Sequence, residues 1–193
     1  LRRKVIEQGI TLLKGDDILP LKRLDTLKIA YIEVGKCKGQ KFFDQLEMYT
    51  SIASFSIDAE SSLNAFDSLL VSLEPFNLVI LGCHSIDTRA SKNYGISPQL
   101  SNFIFDLSFR KKVIADIFGN PYSISRLMNI QSLGGLIISF DNSNICQSLS
   151  AQMIFGGIGV KGKLPVSATN SIPIGSGYLI ANRIRLKYSI PEE

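Results

Sequence analysis

Short apolar runs alternate along this chain with longer segments whose apolar residues recur every three or four positions. The runs are Leu27 to Val34, Ile52 to Ile57, Asn77 to Cys83, Lys112 to Phe118 and Gly135 to Phe140. Their length and β-branched content predict strands. Asn77-Leu-Val-Ile-Leu-Gly-Cys83 is almost unbroken, the mark of a strand buried on both faces. The intervening segments carry helical stripes: Phe42, Phe43, Leu46 and Tyr49; then Leu63, Phe66, Leu69, Leu70 and Leu73; then Leu100, Phe103, Ile104 and Leu107. Asp58 or Ser61 is placed to cap the second of these, and Pro75 closes it. Ser97-Pro98 and Asn120-Pro121 each open a helix with proline at its first position. Asp141 to Ser143 caps an amphipathic helix running through Phe155.

Strand and helix in strict alternation predict a three-layer, doubly wound α/β sandwich. Its mainly parallel sheet has five strands. At 193 residues the chain is read as a single domain. Val5, Ile6, Ile10 and Leu13 predict an N-terminal helix over 2–14, ended by Gly15-Asp16-Asp17. The α/β core covers 27–167, and an extended tail covers 168–193. Within that tail Leu179 to Tyr188 has two readings, an antiparallel edge strand or a segment docked on a parent protein.

Composition narrows the function classes. Lysine and arginine number 21 against 17 acidic residues, a net charge of +4. The basic residues are scattered, tryptophan is absent and no basic cluster alternates with aromatics, so no nucleic-acid partner is expected. No apolar run reaches the length of a membrane span. Cys37, Cys83 and Cys146 lack metal-ligand spacing, and Cys83 and Cys146 read as buried thiols. His84 is the single histidine, which leaves no metal site and no triad to expect. The chain opens Leu1-Arg2-Arg3 and reads as a segment of a longer protein, so a missing signal says nothing of compartment.

Two glycine-rich stretches invite a nucleotide reading and fail its chemistry. Gly157 to Gly162-Lys163 has phosphate-loop spacing, yet Leu164 stands where Ser or Thr is needed and Pro165 bars a helix start. The stretch follows a helix, whose carbonyls repel anions. It reads instead as a cap and turn, with Gly162 expected at positive φ. Gly35-Lys-Cys-Lys-Gly-Gln40 lacks the dinucleotide spacing. No cofactor is expected. The informative loop is His84 to Tyr94, which leaves the most buried strand. His84, Asp87, Arg89, Lys92, Asn93 and Tyr94 all carry groups able to hydrogen-bond a sugar, and His84, Asp87 and Arg89 are the candidate substrate-rim residues. The competing reading has His84 capping the strand end while Asp87 and Arg89 pair locally.

A resemblance joins these features. Gln152-Met-Ile-Phe155-Gly-Gly followed by Gly162-Lys-Leu-Pro-Val-Ser167 resembles the C-terminal domain of family 3 glycoside hydrolases, where a helix ends in "LFG" before a "GKLPV" turn. Ile10-Thr-Leu-Leu-Lys14 with Asp17-Ile-Leu-Pro-Leu-Lys22 resembles that domain's start, and Phe118-Gly-Asn-Pro-Tyr122 resembles its β-N-acetylhexosaminidase branch. The resemblance implies the same sandwich with an antiparallel edge strand added. It also implies an N-terminal barrel catalytic domain as partner, carbohydrate at the cleft, and a periplasmic or secreted parent. In β-glucosidase members the corresponding loop ends in the general acid/base Glu. Here Thr88 falls at that position and Asp87 one earlier, so no catalytic residue is expected in this chain. The expected role is a non-catalytic auxiliary domain of a β-N-acetylhexosaminidase-like hydrolase. The alternatives are a stand-alone nucleotide or flavin module and a structural linker domain.

Overall fold

The computed structural model describes residues 2–35, 38–181 and 183–188. Its centre is a six-stranded sheet in the order β1-β6-β5-β4-β2-β3. The strands are β1 (Thr11–Lys14), β2 (Ile29–Val34), β3 (Ile52–Ile57), β4 (Leu78–Cys83), β5 (Lys112–Ile117) and β6 (Gly135–Ile138). All neighbours pair in parallel except β1, which runs antiparallel to β6 at the edge. The helices are α1 (Arg2–Gly9), α2 (Gln40–Glu47), α3 (Leu63–Ser72), α4 (Pro98–Arg110) and α5 (Asn144–Phe155). Helices α3 and α4 bury Phe66, Leu69, Leu100, Phe103, Ile104 and Leu107 on one face of the sheet. Helices α2 and α5 bury Phe42, Leu46, Leu149, Met153 and Phe155 on the other. The result is the three-layer, doubly wound α/β sandwich that the alternation predicts.

The N-terminal stripe did not make one helix. α1 stops at Gly9, and residues 11–14 form the antiparallel edge strand, with Leu12 wholly buried. Val5, Ile6, Ile10 and Leu13 fit a helical stripe by spacing, but Thr11, Leu12 and Lys14 pair with β6, with an irregularity in register between Leu12 and Lys14. The antiparallel edge therefore lies at the N-terminal end of the chain. The described part of 179–188 contains no strand and packs back on the segment around Val160 and on α5. Ile180 N donates to Val160 O at 2.9 Å, Ile184 N to Gly156 O at 2.9 Å and Tyr188 N to Gln152 Oε1 at 2.9 Å.

Three local expectations also change. α3 is capped by Ser62, whose hydroxyl accepts from Ala65 N, rather than by Asp58 or Ser61. α5 is buried almost all round, because α2, α1 and the tail cover the face the sheet leaves. Its buried Gln147, Ser148, Ser150 and Gln152 are satisfied by hydrogen bonds. Gly156 takes the left-handed cap at φ 77°, whereas Gly162 has no positive φ. A Cβ on Gly162 would instead sit 2.3 Å from Ile10 O, so that glycine is set by close backbone approach.

Candidate functional site

In a doubly wound sheet, ligands collect beyond the carboxyl ends of the strands where the winding reverses. Here the reversal lies between β2 and β4, because the chain steps out to β3 and returns across β2. The loop leaving β4 there is the one singled out by sequence. It runs from His84 through the 3-10 turn Ala90–Gly95 to the Ser97 cap of α4.

His84 fills this crevice from inside. It is 3% exposed, stacked on Phe118 with ring centroids 4.3 Å apart. Its Nδ1 lies 2.7 Å from Asn142 Oδ1, and its Nε2 lies 2.9 Å from the Tyr31 hydroxyl. An amide oxygen only accepts, so Nδ1 carries the proton and Nε2 accepts from Tyr31. Gln147 Nε2 donates to the same Asn142 Oδ1 at 2.9 Å, while Phe42 N donates to Gln147 Oε1 at 3.0 Å. The network thus ties β2, β4, α2 and α5 together. Burial lowers the His84 pKa to about 4, so the ring is neutral at ordinary pH. Cβ atoms on Gly39 or Gly82 would each lie 2.5 Å from His84 Nε2, so only glycine leaves room for the ring.

Asp87 and Arg89 occupy the outer part of the loop. Arg89 Nε donates to Asp87 Oδ1 at 3.0 Å and Nη2 to Oδ2 at 2.7 Å, a two-pronged pair. The Asp87 carboxyl is held well below the usual range, first by the Arg89 side-chain hydrogen bonds and then by the Arg89 amide. It is therefore ionised, whereas a general acid must hold a proton near neutrality. Asp87 N donates to Tyr94 O at 3.0 Å, which folds the loop back on itself. Asn93 and Tyr94 both sit at positive φ, 48° and 54°, where a tyrosine is strained. Tyr94 faces Tyr122 across 6.3 Å, with the Arg126 guanidinium 5.8 Å from the Tyr94 ring centroid. The structure thus brings Asp87 and Arg89 together and places His84 beneath them in a separate network. Thr88 is exposed, and Lys92 points to solvent.

Sequence reasoning missed the partners of His84 and a second buried polar centre. Asp116, wholly buried in β5, accepts from Ser139 Oγ at 2.8 Å and from Ser150 Oγ. Burial raises its pKa to about 7, against the two hydroxyl bonds. An aspartate inside an apolar strand run was the available signal. Burial also pushes the Cys83 and Cys146 thiols up to about 12, which leaves them unreactive; Cys37 lies outside the described residues. The phosphate-loop lookalike is closed as well: Lys163 Nζ donates to Gly177 O, and Leu164 N donates to Ser176 O at 2.9 Å. A nearby cleft of ≈ 380 Å³ at the ends of β2 and β3 includes Glu33 and Asp58 in its lining, an environment that disfavours phosphate.

Neither protein-family models nor curated protein sequences match this chain. Solved structures do. A fungal multi-domain family 3 glycoside hydrolase, a β-N-acetylglucosaminidase, superposes with a TM-score of 0.69 at 16% identity over 93% of this chain and 19% of its own. The family 3 β-N-acetylglucosaminidase of Paenibacillus sp. str. FPU-7 gives 0.64 at 15% identity, over 83% of this chain and 30% of its own. A β-glucosidase from Listeria innocua gives 0.64 at 16% identity, over 86% and 26%. The class is therefore an α/β sandwich with the fold of one domain of family 3 glycosidases, as the sequence motifs imply. The chain spans less than a third of the length of each of these proteins.

Proposed function

We propose that this chain is a non-catalytic auxiliary domain of a β-N-acetylhexosaminidase-like glycoside hydrolase. On this reading it packs on a barrel catalytic domain and lends the loop after β4 to the wall of the sugar cleft. Asp87 and Arg89 form the rim that meets carbohydrate, and His84 holds the base of that loop. The observation that carries the reading is the state of Asp87, a half-buried carboxylate kept ionised by a forked pair with Arg89. Glycoside hydrolysis needs two carboxyl groups across the sugar, one of them protonated. An ionised rim serves recognition of hydroxyl groups better than proton donation. The complete reading frame tests the assignment: a barrel domain encoded ahead of this chain supports it, and the absence of one overturns it. Chemical-shift titration with N-acetylglucosamine tests the rim, with shifts expected at Asp87, Arg89 and Tyr94. Shifts confined to other surfaces would remove the loop from the site.

A further inference from the structure

A cleft of ≈ 430 Å³ opens between α1 and the segments around Val160 and Ile180, away from the loop after β4. Its lining carries Lys4, Lys161, Arg183 and Lys187 against a single carboxylate, Glu7. Lys187 Nζ lies 2.8 Å from Glu7 Oε2, so that carboxylate is already neutralised. Among the described residues no carboxylate pairs with Lys4, Lys161 or Arg183. Among the described residues, three cations thus surround one hollow without a paired carboxylate.

The walls of this hollow are fixed. Val160 and Ile180 exchange two backbone hydrogen bonds, both 2.9 Å. Arg3 Nη2 donates to Tyr188 O at 2.7 Å, and the Lys187–Glu7 pair closes the same seam between α1 and the tail. Lys4, Lys161 and Arg183 are exposed on these walls, and the excess of basic over acidic groups gives the hollow a positive potential that water and salt screen in part. Val160 and Ile180 add an apolar patch beside the charges. A second basic hollow supplies a contrast. Arg110, Lys111 and Lys112 line it, but Lys111 Nζ there donates to Glu74 O at 2.8 Å and lies 4.0 Å from the Glu74 carboxylate.

We propose that the cleft beside α1 binds a compact polyanion bearing phosphate or carboxylate groups, held by Lys4, Lys161 and Arg183. The glycosidase reading is not needed for this, since the cleft shares no lining residue with the loop after β4. Titration calorimetry of the whole chain with pyrophosphate and with citrate, at constant ionic strength, tests it. Saturable one-to-one binding of at least one probe is expected, and the probe that binds names the anionic group. Lys161→Ala and Arg183→Ala should each weaken binding about fivefold, the loss of one exposed charge contact. Lys112→Ala should leave it unchanged. Unfolding curves of the variants, expected to match wild type, separate loss of binding from loss of fold. No saturable heat with either probe, or equal weakening in Lys112→Ala, would overturn the proposal.

Discussion

The loop after β4 carries two polar clusters a few residues apart, and they behave in opposite ways. At its base His84 is buried, neutral and satisfied on both ring nitrogens by Tyr31 and Asn142. At its rim Asp87 and Arg89 are charged and satisfied by each other, Arg89 exposed and Asp87 half-buried. Burial decides the difference. A charge at the base would face a full desolvation cost, so the ring gives up its proton and enters a network. At the rim water screens both charges, so the fork shapes the loop and adds little to stability. Polar residue types alone do not mark function; burial separates a group that holds the loop from a pair that water reaches.

The largest expected effect is at the base. His84→Leu keeps the volume but strands the Tyr31 hydroxyl and takes from Asn142 Oδ1 one of its two donors, the other being Gln147, and should cost about 1–3 kcal/mol of unfolding free energy in urea. A cost near zero would mean that the network is not what holds the loop.

The second effect sets two buried groups, His84 and Asp116, against each other. The His84 pKa falls from 6.5 to about 4 on folding, so the unfolded chain binds the extra proton and stability falls as pH drops from 6.5 to 4. The Asp116 pKa rises from 3.8 to about 7, so the folded chain keeps the proton and stability falls as pH climbs from 3.8 to 7. The two oppose across their shared window. Asp116→Asn should leave the His84 slope alone, with stability rising with pH on the order of 1 kcal/mol per unit. His84→Leu should leave the opposite slope. Identical pH profiles for both variants would show that these groups are not the ones titrating.

The smallest effect is at the rim. Asp87→Ala and Arg89→Ala should each leave the thermal midpoint within measurement error of wild type. A clear loss of stability would make the fork a structural element and weaken its place in a binding surface.

Much of this arrangement was legible in the sequence, for physical reasons that also explain the gaps. The central strands announce themselves because burial on both faces demands continuous apolar runs. The caps Ser97 and Ser143 were visible because helix starts need side-chain oxygens. β1 was hidden because Val5, Ile6, Ile10 and Leu13 happen to fit a helical spacing across a break at Gly9. The His84 network could not be read from the chain, since Tyr31, Asn142 and Gln147 meet only after the sheet forms. Asp87 and Arg89 were visible as a local pair, because two residues of separation on a turn suffice for a fork. Asp116 stood in plain view inside an apolar run, and its buried partners Ser139 and Ser150 explain how it is tolerated.

The central claim is that this chain lends a wall to a glycosidase cleft without performing the chemistry. Incubating the purified 193-residue chain with a chromogenic N-acetylglucosaminide tests that claim most directly. The account predicts no release of chromophore above buffer at any pH between 4 and 8. Release that scales with protein and disappears in Asp87→Ala would contradict it, and would make the rim carboxylate a catalytic residue.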